Sequence, residues 1–332
     1  MKINSNILDN KTRLLHIEDN DSNSVSIMVL VNAGSRHEKN STSGLAHFVE
    51  HNFFKGSKKY PSSKIIGMAI ENLGGSSNAF TSYEYTGYYI KVPKEKFEEA
   101  IDIMADMLIH SVFPSVEVEK ERGVIIEEIR MYEDIPMRKV SQSHMTNLFS
   151  PGHPLGWDIA GTIDTVSSFG RDNIIDYTDE FYNGSNIIVS IAGGTSKEKT
   201  FSVFEKYFSQ LKSGNRSKFQ KFTKKEIASP INIQKKELEQ THIVLGGYGI
   251  KRSDEDRYAV RVGQTILGRG FGSILFQTIR EKLSLAYYIH ADHSSFQEIG
   301  AWDISMGVDN KRVVEAVEAV VGELDSFVKG TF

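Results

Sequence analysis

The sequence predicts a chain of two similar domains, α+β in class. Segments with the period of strands and segments with the period of helices share its 332 residues. A basic, polar stretch poor in aliphatic residues (LKSGNRSKFQKFTKKEIASP, 211–230) interrupts them and marks a boundary. Beyond it, the early order of elements begins again.

The elements follow in order. Residues 24–33 (SVSIMVLVNA) read as a buried strand ended by Gly34 and Ser35. Over 43–55 the apolar positions Leu45, Phe48, Val49 and Phe53 fall at helical spacing, with Gly56 as the stop. Pro61, Ser62 and Ser63 open a helix that reaches Leu73 and closes at Gly74 and Gly75. Residues 77–92 are rich in Thr, Tyr and Phe and read as extended strands. Phe97, Ala100, Ile101, Met104 and Leu108 make 94–109 an amphipathic helix, and a further helix follows Pro114 over 116–132. Residues 185–192 form one more buried strand before Gly193 and Gly194.

After the boundary come a strand at 241–245, helical stretches at 256–267 and 273–282, strands at 286–291 and 301–308, and a helix at 311–328 that matches the one at 94–109. The expected division is a first domain at 1–212, a solvated linker at 213–230 and a second domain at 231–332. The first copy runs roughly 100 residues past its equivalent point, so the second reads as C-terminally truncated, about half complete.

Composition narrows the chemistry. Hydrophobic residues at 39% and charged residues at 25% suit a globular core. A net charge of -4 argues against nucleic acid as partner. No cysteine is present, which removes disulfides, thiol catalysis and thiolate metal ligands together and leaves His and carboxylate for any metal. The N-terminus lacks an apolar targeting core, and no run approaches the roughly 18 apolar residues of a membrane span, so the expected setting is the cytoplasm, with no membrane partner.

The reactive constellation is His47-Phe48-Val49-Glu50-His51. Two His four residues apart on a helix lie on one face about a turn apart and can take two positions of a tetrahedral zinc. Glu50 projects from the same side, beside the metal without needing to ligate it, which suits a general base for the water that zinc activates. A catalytic zinc usually takes a third protein ligand. The acidic helix 116–132 offers Glu117, Glu119, Glu121, Glu127 and Glu128. Glu121 and Glu128 share a semi-apolar face, while composition leaves Glu127 and Glu128 unresolved.

Three segments, HFVEHNFFKGS, GGSSNAFTSYEYTGYY and EKERGVIIEEIRMYED, together resemble the pitrilysin/insulin-degrading family of inverted-motif zinc peptidases. The nearest likeness is to the branch holding mitochondrial processing peptidase and its bacterial relatives. HPLGWDIAGT at 153–162 and SILFQTIREKLSLAYYI at 273–289 extend the resemblance along almost the whole chain. It implies two α+β domains, each an antiparallel-rich sheet packed by helices, forming half of a clamshell. It places the third zinc ligand 77 residues beyond the second His, at Glu128, and a supporting carboxylate at Glu121. It makes Glu84 a group close behind the ligands and Asn78, Ala79 and Phe80 an edge strand that binds substrate by strand addition. Arg280 and Tyr287 match an Arg/Tyr pair that reaches the substrate. Read without the resemblance, 78–86 is an ordinary strand, Arg280 a helix-surface ion pair and Tyr287 a core aromatic. The implied function is a zinc endopeptidase acting on peptides or unfolded segments, with one Zn2+ per chain, as a homodimer. A non-catalytic scaffold or partner subunit on the same fold is the alternative. Asn52 stands where the family usually has a hydrophobic residue.

Overall fold

The computed structural model describes residues 3–149, 152–224 and 231–331. They form two compact units, one of Met1–Arg130 with Trp157–Gln220, the other of Met131–Gly156 with Lys221–Phe332.

The first unit holds strands β1 (Ile3–Ile7), β2 (Arg13–Glu18), β3 (Ser24–Val31), β4 (Ser76–Thr81), β5 (Thr86–Pro93) and β6 (Ile187–Gly193) in one sheet of order β1-β2-β6-β3-β5-β4. Only the β2–β6 pair is parallel. β3 lies at the centre because its alternation suits that place: Val25, Ile27, Val29 and Val31 are all fully buried. The helices of this part of the chain are α1 (Leu45–Asn52), α2 (Ser63–Asn72), α3 (Phe97–Ile109) and α4 (Ser115–Glu133), then α5 (Pro136–Phe149), α6 (Ile163–Ser168), α7 (Arg171–Phe181) and α8 (Lys197–Phe208). α3 packs its apolar stripe on β5 and α8, and α1 packs against α7 and β4. One continuous core results, with Phe48, Phe97, Phe169 and Phe204 among its largest buried side chains.

The second unit has a sheet of order β7-β9-β8, from β7 (Gln240–Gly249), β8 (Ala286–Ser295) and β9 (Gly300–Asp309), all antiparallel. α9 (Arg257–Gly268), a π-helical segment at Phe276–Lys282 and α10 (Val313–Lys329) complete the repeated order strand, two helices, two strands, helix. The expected helix over 273–282 is thus largely π-helical.

Two expected boundaries are corrected. Residues 131–156 cluster with the second unit rather than the first, because α5 packs against β7. Tyr248 there donates its hydroxyl to Leu148 O at 2.8 Å, and Phe149 joins Phe222, Tyr248 and Phe296 in one aromatic cluster. Nor is 213–220 a solvated linker. Ser217 N donates to Asn186 Oδ1 at 2.7 Å, and the Phe219 ring sits 3.9 Å beneath the Arg36 guanidinium, so this stretch is strapped onto the first unit. Residues 225–230 of the expected linker lie outside the described residues. The elements β1, β2, α5, α6, α7 and α8 had no counterpart in the sequence reading. No helix among the described residues is long and apolar enough to cross a membrane.

Candidate metal centre

The site is built on α1. Gly44 precedes it with φ +95, and a Cβ there would come within 2.5 Å of Ala160 O. Gly161, at φ +77, answers from the opposite loop, where a Cβ would meet Ser43 O at 2.3 Å. Only glycine permits both the backbone conformation and the approach, so the start of α1 is clamped by the end of the HPLGWDIAGT segment. Glu38 completes the cap: its carboxylate accepts from Gly44 N at 2.9 Å and Ala46 N at 2.7 Å. Burial pushes the Glu38 carboxyl up to about 8, against the pull of those two N–H groups.

From this fixed start, Phe48 and Val49 point into the core while His47 and His51 stay partly exposed on one face. The two rings meet edge-on with centroids 4.5 Å apart. α4 brings up the third group. Glu128 Oε2 lies 3.9 Å from His47 Nε2 and 3.7 Å from His51 Nε2. All three ligand atoms fall within 4.8 Å of one another, the only such triad of metal-competent side chains among the described residues. Tetrahedral zinc with bonds of about 2.0–2.1 Å spaces its ligand atoms by about 3.4 Å, so the triad is an ion's width across and of the right chemistry. Glu127, left open by composition, instead pairs with Arg130 at 2.5 Å on the outer face.

The supporting groups orient this set. His51 Nδ1 meets Glu121 Oε1 at 2.8 Å. A carboxylate only accepts, so Nδ1 carries the proton and the Nε2 lone pair is left for a metal. Glu121 is buried between His51 and Lys55, whose Nζ is 2.5 Å from Oε2. Burial opposes its charge, but those two partners outweigh burial and hold its carboxyl below the usual range. Glu50 is buried, and its Oε2 accepts from Thr81 Oγ1 at 2.6 Å. Burial raises the Glu50 carboxyl, with Thr81 and His51 pulling it back. A carboxyl raised toward neutrality suits a group that must hold and release a proton.

Thr81 ends β4, so the base is tied to the edge strand. β4 pairs with β5 alone, in the register Asn78↔Tyr89, Ala79↔Tyr88 and Phe80↔Gly87. Its other edge carries no strand among the described residues. There Asn78 Oδ1 accepts from Ala79 N at 2.8 Å. Phe80 folds over Gly87, where a Cβ would lie 2.3 Å from the ring. Glu84 is buried and held by Arg36 at 2.6 Å. Arg280 and Tyr287 belong to the second unit, where the guanidinium lies 5.9 Å from the Tyr287 ring and 4.6 Å from that of Phe276. Tyr287 is 74% exposed, which corrects its reading as a core aromatic. Asn52 is fully buried with Nδ2 donating to Phe48 O at 2.7 Å, so its amide is spent within α1. Thr81, Lys55 and Glu38 escaped the sequence reading, since their partners are 31 to 66 positions away or across a turn with no motif.

Comparison with known proteins gives the family. The chain is 36% identical over 297 residues to the uncharacterized zinc protease YmxG of Bacillus subtilis, spanning 90% of this chain and 71% of that protein. Residues 13–163 match the model described as insulinase, peptidase family M16. The chain belongs to this family. Residues 168–332 match the model described as the peptidase M16 inactive domain, so the triad and Glu50 lie within the part matched by the insulinase model. An uncharacterized zinc protease of Rickettsia felis is 36% identical over 282 residues, covering 85% of this chain and 67% of its own length. The fold is shared with a crystal structure of a peptidase M16 inactive domain from Pseudomonas fluorescens (TM-score 0.93, 19% identity, 99% of this chain and 80% of that one). A protease from Helicobacter pylori shares it too (TM-score 0.91, 23% identity, 100% and 81%).

Proposed function

We propose that the chain is a zinc-dependent endopeptidase that hydrolyses peptides or unfolded polypeptide segments, with one zinc ion held by His47, His51 and Glu128. One observation carries the reading: three ligand atoms of zinc-binding chemistry converge within 4.8 Å, beside a buried carboxylate that is hydrogen-bonded to an edge strand. When bound, zinc polarises a scissile carbonyl and lowers the pKa of water to about 7.

The remaining steps fall to the chain's own residues. A substrate strand lies along β4, pairing with the backbone at Asn78, Ala79 and Phe80, which gives affinity with little demand on side chains. Thr81 holds Glu50 at the end of that strand. Glu50 takes the proton of the attacking water and passes it to the leaving amine. Glu121, braced by Lys55, keeps His51 in the tautomer that presents Nε2. Arg36 fixes Glu84 behind the strand turn. Arg280 and Tyr287 are assigned to hold the peptide or polarise its carbonyl, in a homodimer, and a cytoplasmic setting fits a chain without cysteine.

Glu50→Gln tests the assignment, because it removes the base and leaves the three ligands. The variant retains stoichiometric zinc by metal analysis, and its turnover on a quenched peptide pool falls by about 10²–10⁴ or more. Undiminished cleavage overturns the mechanism. A wild-type protein with no stoichiometric zinc supports the scaffold alternative instead.

A further inference from the structure

The base and its hydrogen-bond partner sit on different elements, Glu50 on α1 and Thr81 at the end of β4. One short loop, residues 34–38, holds both elements. At its start it grips the turn that follows Thr81. Ser35 N donates to Ser82 O at 3.2 Å and Arg36 N to Tyr83 O at 2.7 Å. The two backbones lie so close that a Cβ on Gly34 would come within 2.2 Å of Ser82 O. Arg36 Nη1 adds a bond to Glu84 Oε1, in the same turn, at 2.6 Å. At its end the loop grips α1, through the Glu38 carboxylate on Gly44 N and Ala46 N. Between these grips the loop is closed by His37 N on Gly34 O and Glu38 N on Ser35 O. A shift of this loop is therefore a shift in the spacing between Thr81 and Glu50.

The loop is covered from far along the chain. The Phe219 ring lies 3.9 Å from the Arg36 guanidinium and meets the His37 ring edge-on at 5.5 Å. The next residue, Gln220, accepts from Arg36 Nη2 at 3.2 Å. Arg36 is 1% exposed. A guanidinium at that depth persists only while paired and hydrogen-bonded, and a ring face both shields and attracts it.

The stretch that carries Phe219 is itself fixed. Asn32 Nδ2 donates to Ser217 Oγ at 2.9 Å, and Ser217 N to Asn186 Oδ1 at 2.7 Å. Ser217 and Phe219 are half-buried, whereas Arg216, Lys218 and Gln220 are exposed. That alternation is the mark of an extended segment laid down on a surface. A connector that merely spanned a gap would have no reason to seat an aromatic ring on a buried charge.

We propose that Phe219 is a positioning residue for the general base: seated on the loop 34–38, it keeps α1 and the end of β4 at the spacing at which Thr81 donates to Glu50. The inference rests on the peptidase reading above and adds to it a residue outside both the substrate strand and the ligand set. Loss of the ring lets water reach Arg36, weakens its bond to Glu84 and frees the turn after Thr81. The ladder of β4 with β5 stays in place. Substrate pairing along Asn78, Ala79 and Phe80 then survives while proton transfer suffers, since a displacement of about 1 Å can cost about a hundredfold in rate.

The test uses the whole zinc-loaded chain on a single quenched peptide. Phe219→Ala is expected to lower kcat about 10–100-fold with KM within about twofold. Phe219→Tyr, which keeps a ring over Arg36, restores kcat. Lys218→Ala, on the exposed side of the same stretch, leaves it unchanged. In a Thr81→Val background Phe219→Ala costs less than about threefold, because the contact through which it acts is already gone. A readout independent of turnover comes from the zinc-free protein, where Phe219→Ala speeds amide exchange over 34–38 and 82–86 about tenfold or more and leaves 187–191 unchanged. Should Phe219→Ala fail to fold, Phe219→Leu, which keeps apolar bulk without a ring face, is read in its place. A wild-type chain that binds zinc and cleaves nothing overturns the peptidase reading, and this inference with it. If the wild type cleaves, an unchanged kcat in Phe219→Ala or an equal loss in the Thr81→Val background overturns the inference alone, and so does unchanged exchange over 82–86.

Discussion

At the scale of single residues, the site depends on which partner each charged group finds. Thr81 is the clearest case. Its hydroxyl stabilises the ionised form of Glu50, whose carboxyl burial already pushes up. Thr81→Val removes that donor, so the carboxyl rises further and the ionised base is lost at a higher pH. The acid limb of kcat/KM moves to higher pH in Thr81→Val and returns in Thr81→Ser; an unmoved limb means that Glu50 does not set it. His37 gives a stability counterpart. Its ring is wedged between Phe181 and Phe219, with Nδ1 accepting from Gly34 N at 3.2 Å, and burial lowers its pKa to about 4. The native state therefore keeps the ring neutral while the unfolded chain binds a proton below about 6.5. Stability is fully present above that pH and falls as pH drops toward 4, by about 3 kcal/mol at most. Denaturant titrations at pH 7 and pH 4.5 should show a smaller loss for His37→Gln than for the parent. Equal losses would remove His37 from the acid sensitivity. Of these residues, sequence spacing exposed His47, Glu50 and His51, because one helical turn joins them. It left Glu128 beside Glu127, and it said nothing of Thr81 or Lys55, because a choice of partner between separate elements leaves no periodic trace.

At the scale of elements, the strongly periodic segments were legible and the context-dependent ones were not. β3 and α3 announce themselves because each buries a regular stripe. β1 and β2 did not: their exposed faces carry Ile3, Ile7 and Leu15 among polar neighbours, so neither shows a clean alternation. α5 is mostly half-exposed, and what assigns it to the second unit is contact with β7, which no local pattern encodes. The polar composition of 211–220 predicted solvent, yet the Ser217 N–H on Asn186, the Phe219 ring under Arg36 and side-chain bonds to the carbonyls of Leu211, Gly214 and Asn215 strap it down. The glycines of α1 and α2 allow a paired test of the backbone argument. Gly44→Ala must adopt φ +95 with a Cβ 2.5 Å from Ala160 O, which costs about 2–3 kcal/mol and displaces the first turn of α1. Gly67 lies inside α2 with no heavy atom within 4 Å of a Cβ, so Gly67→Ala stabilises by about 0.5–1 kcal/mol. The two melting midpoints should move in opposite directions. A neutral Gly44→Ala would show that the clamp with Gly161 does not hold α1.

At the scale of the whole chain, a metal at His47, His51 and Glu128 would join α1 to α4, two elements that the sequence separates by some 70 residues. Without an ion the pocket concentrates carboxylates beside the imidazoles; burial opposes the charge on His51, but Glu121, Glu50 and Glu128 outweigh it and raise its pKa. An ion that binds the folded unit and not the unfolded chain stabilises that unit by mass action, about 4 kcal/mol at a free concentration 1,000 times Kd. The second unit has no comparable triad among its described residues, and its core is a separate cluster centred on Ile279, Ile304 and Met306. Chelation should therefore act unevenly along the chain. Amide exchange measured by segment is expected to speed up over 45–52 and 115–130 when zinc is stripped, and to recover on adding zinc back. Exchange over 286–309 should stay unchanged throughout. If both units lose protection equally, zinc stabilises through a coupling between them rather than through α1 and α4; if neither responds, the triad does not hold the ion.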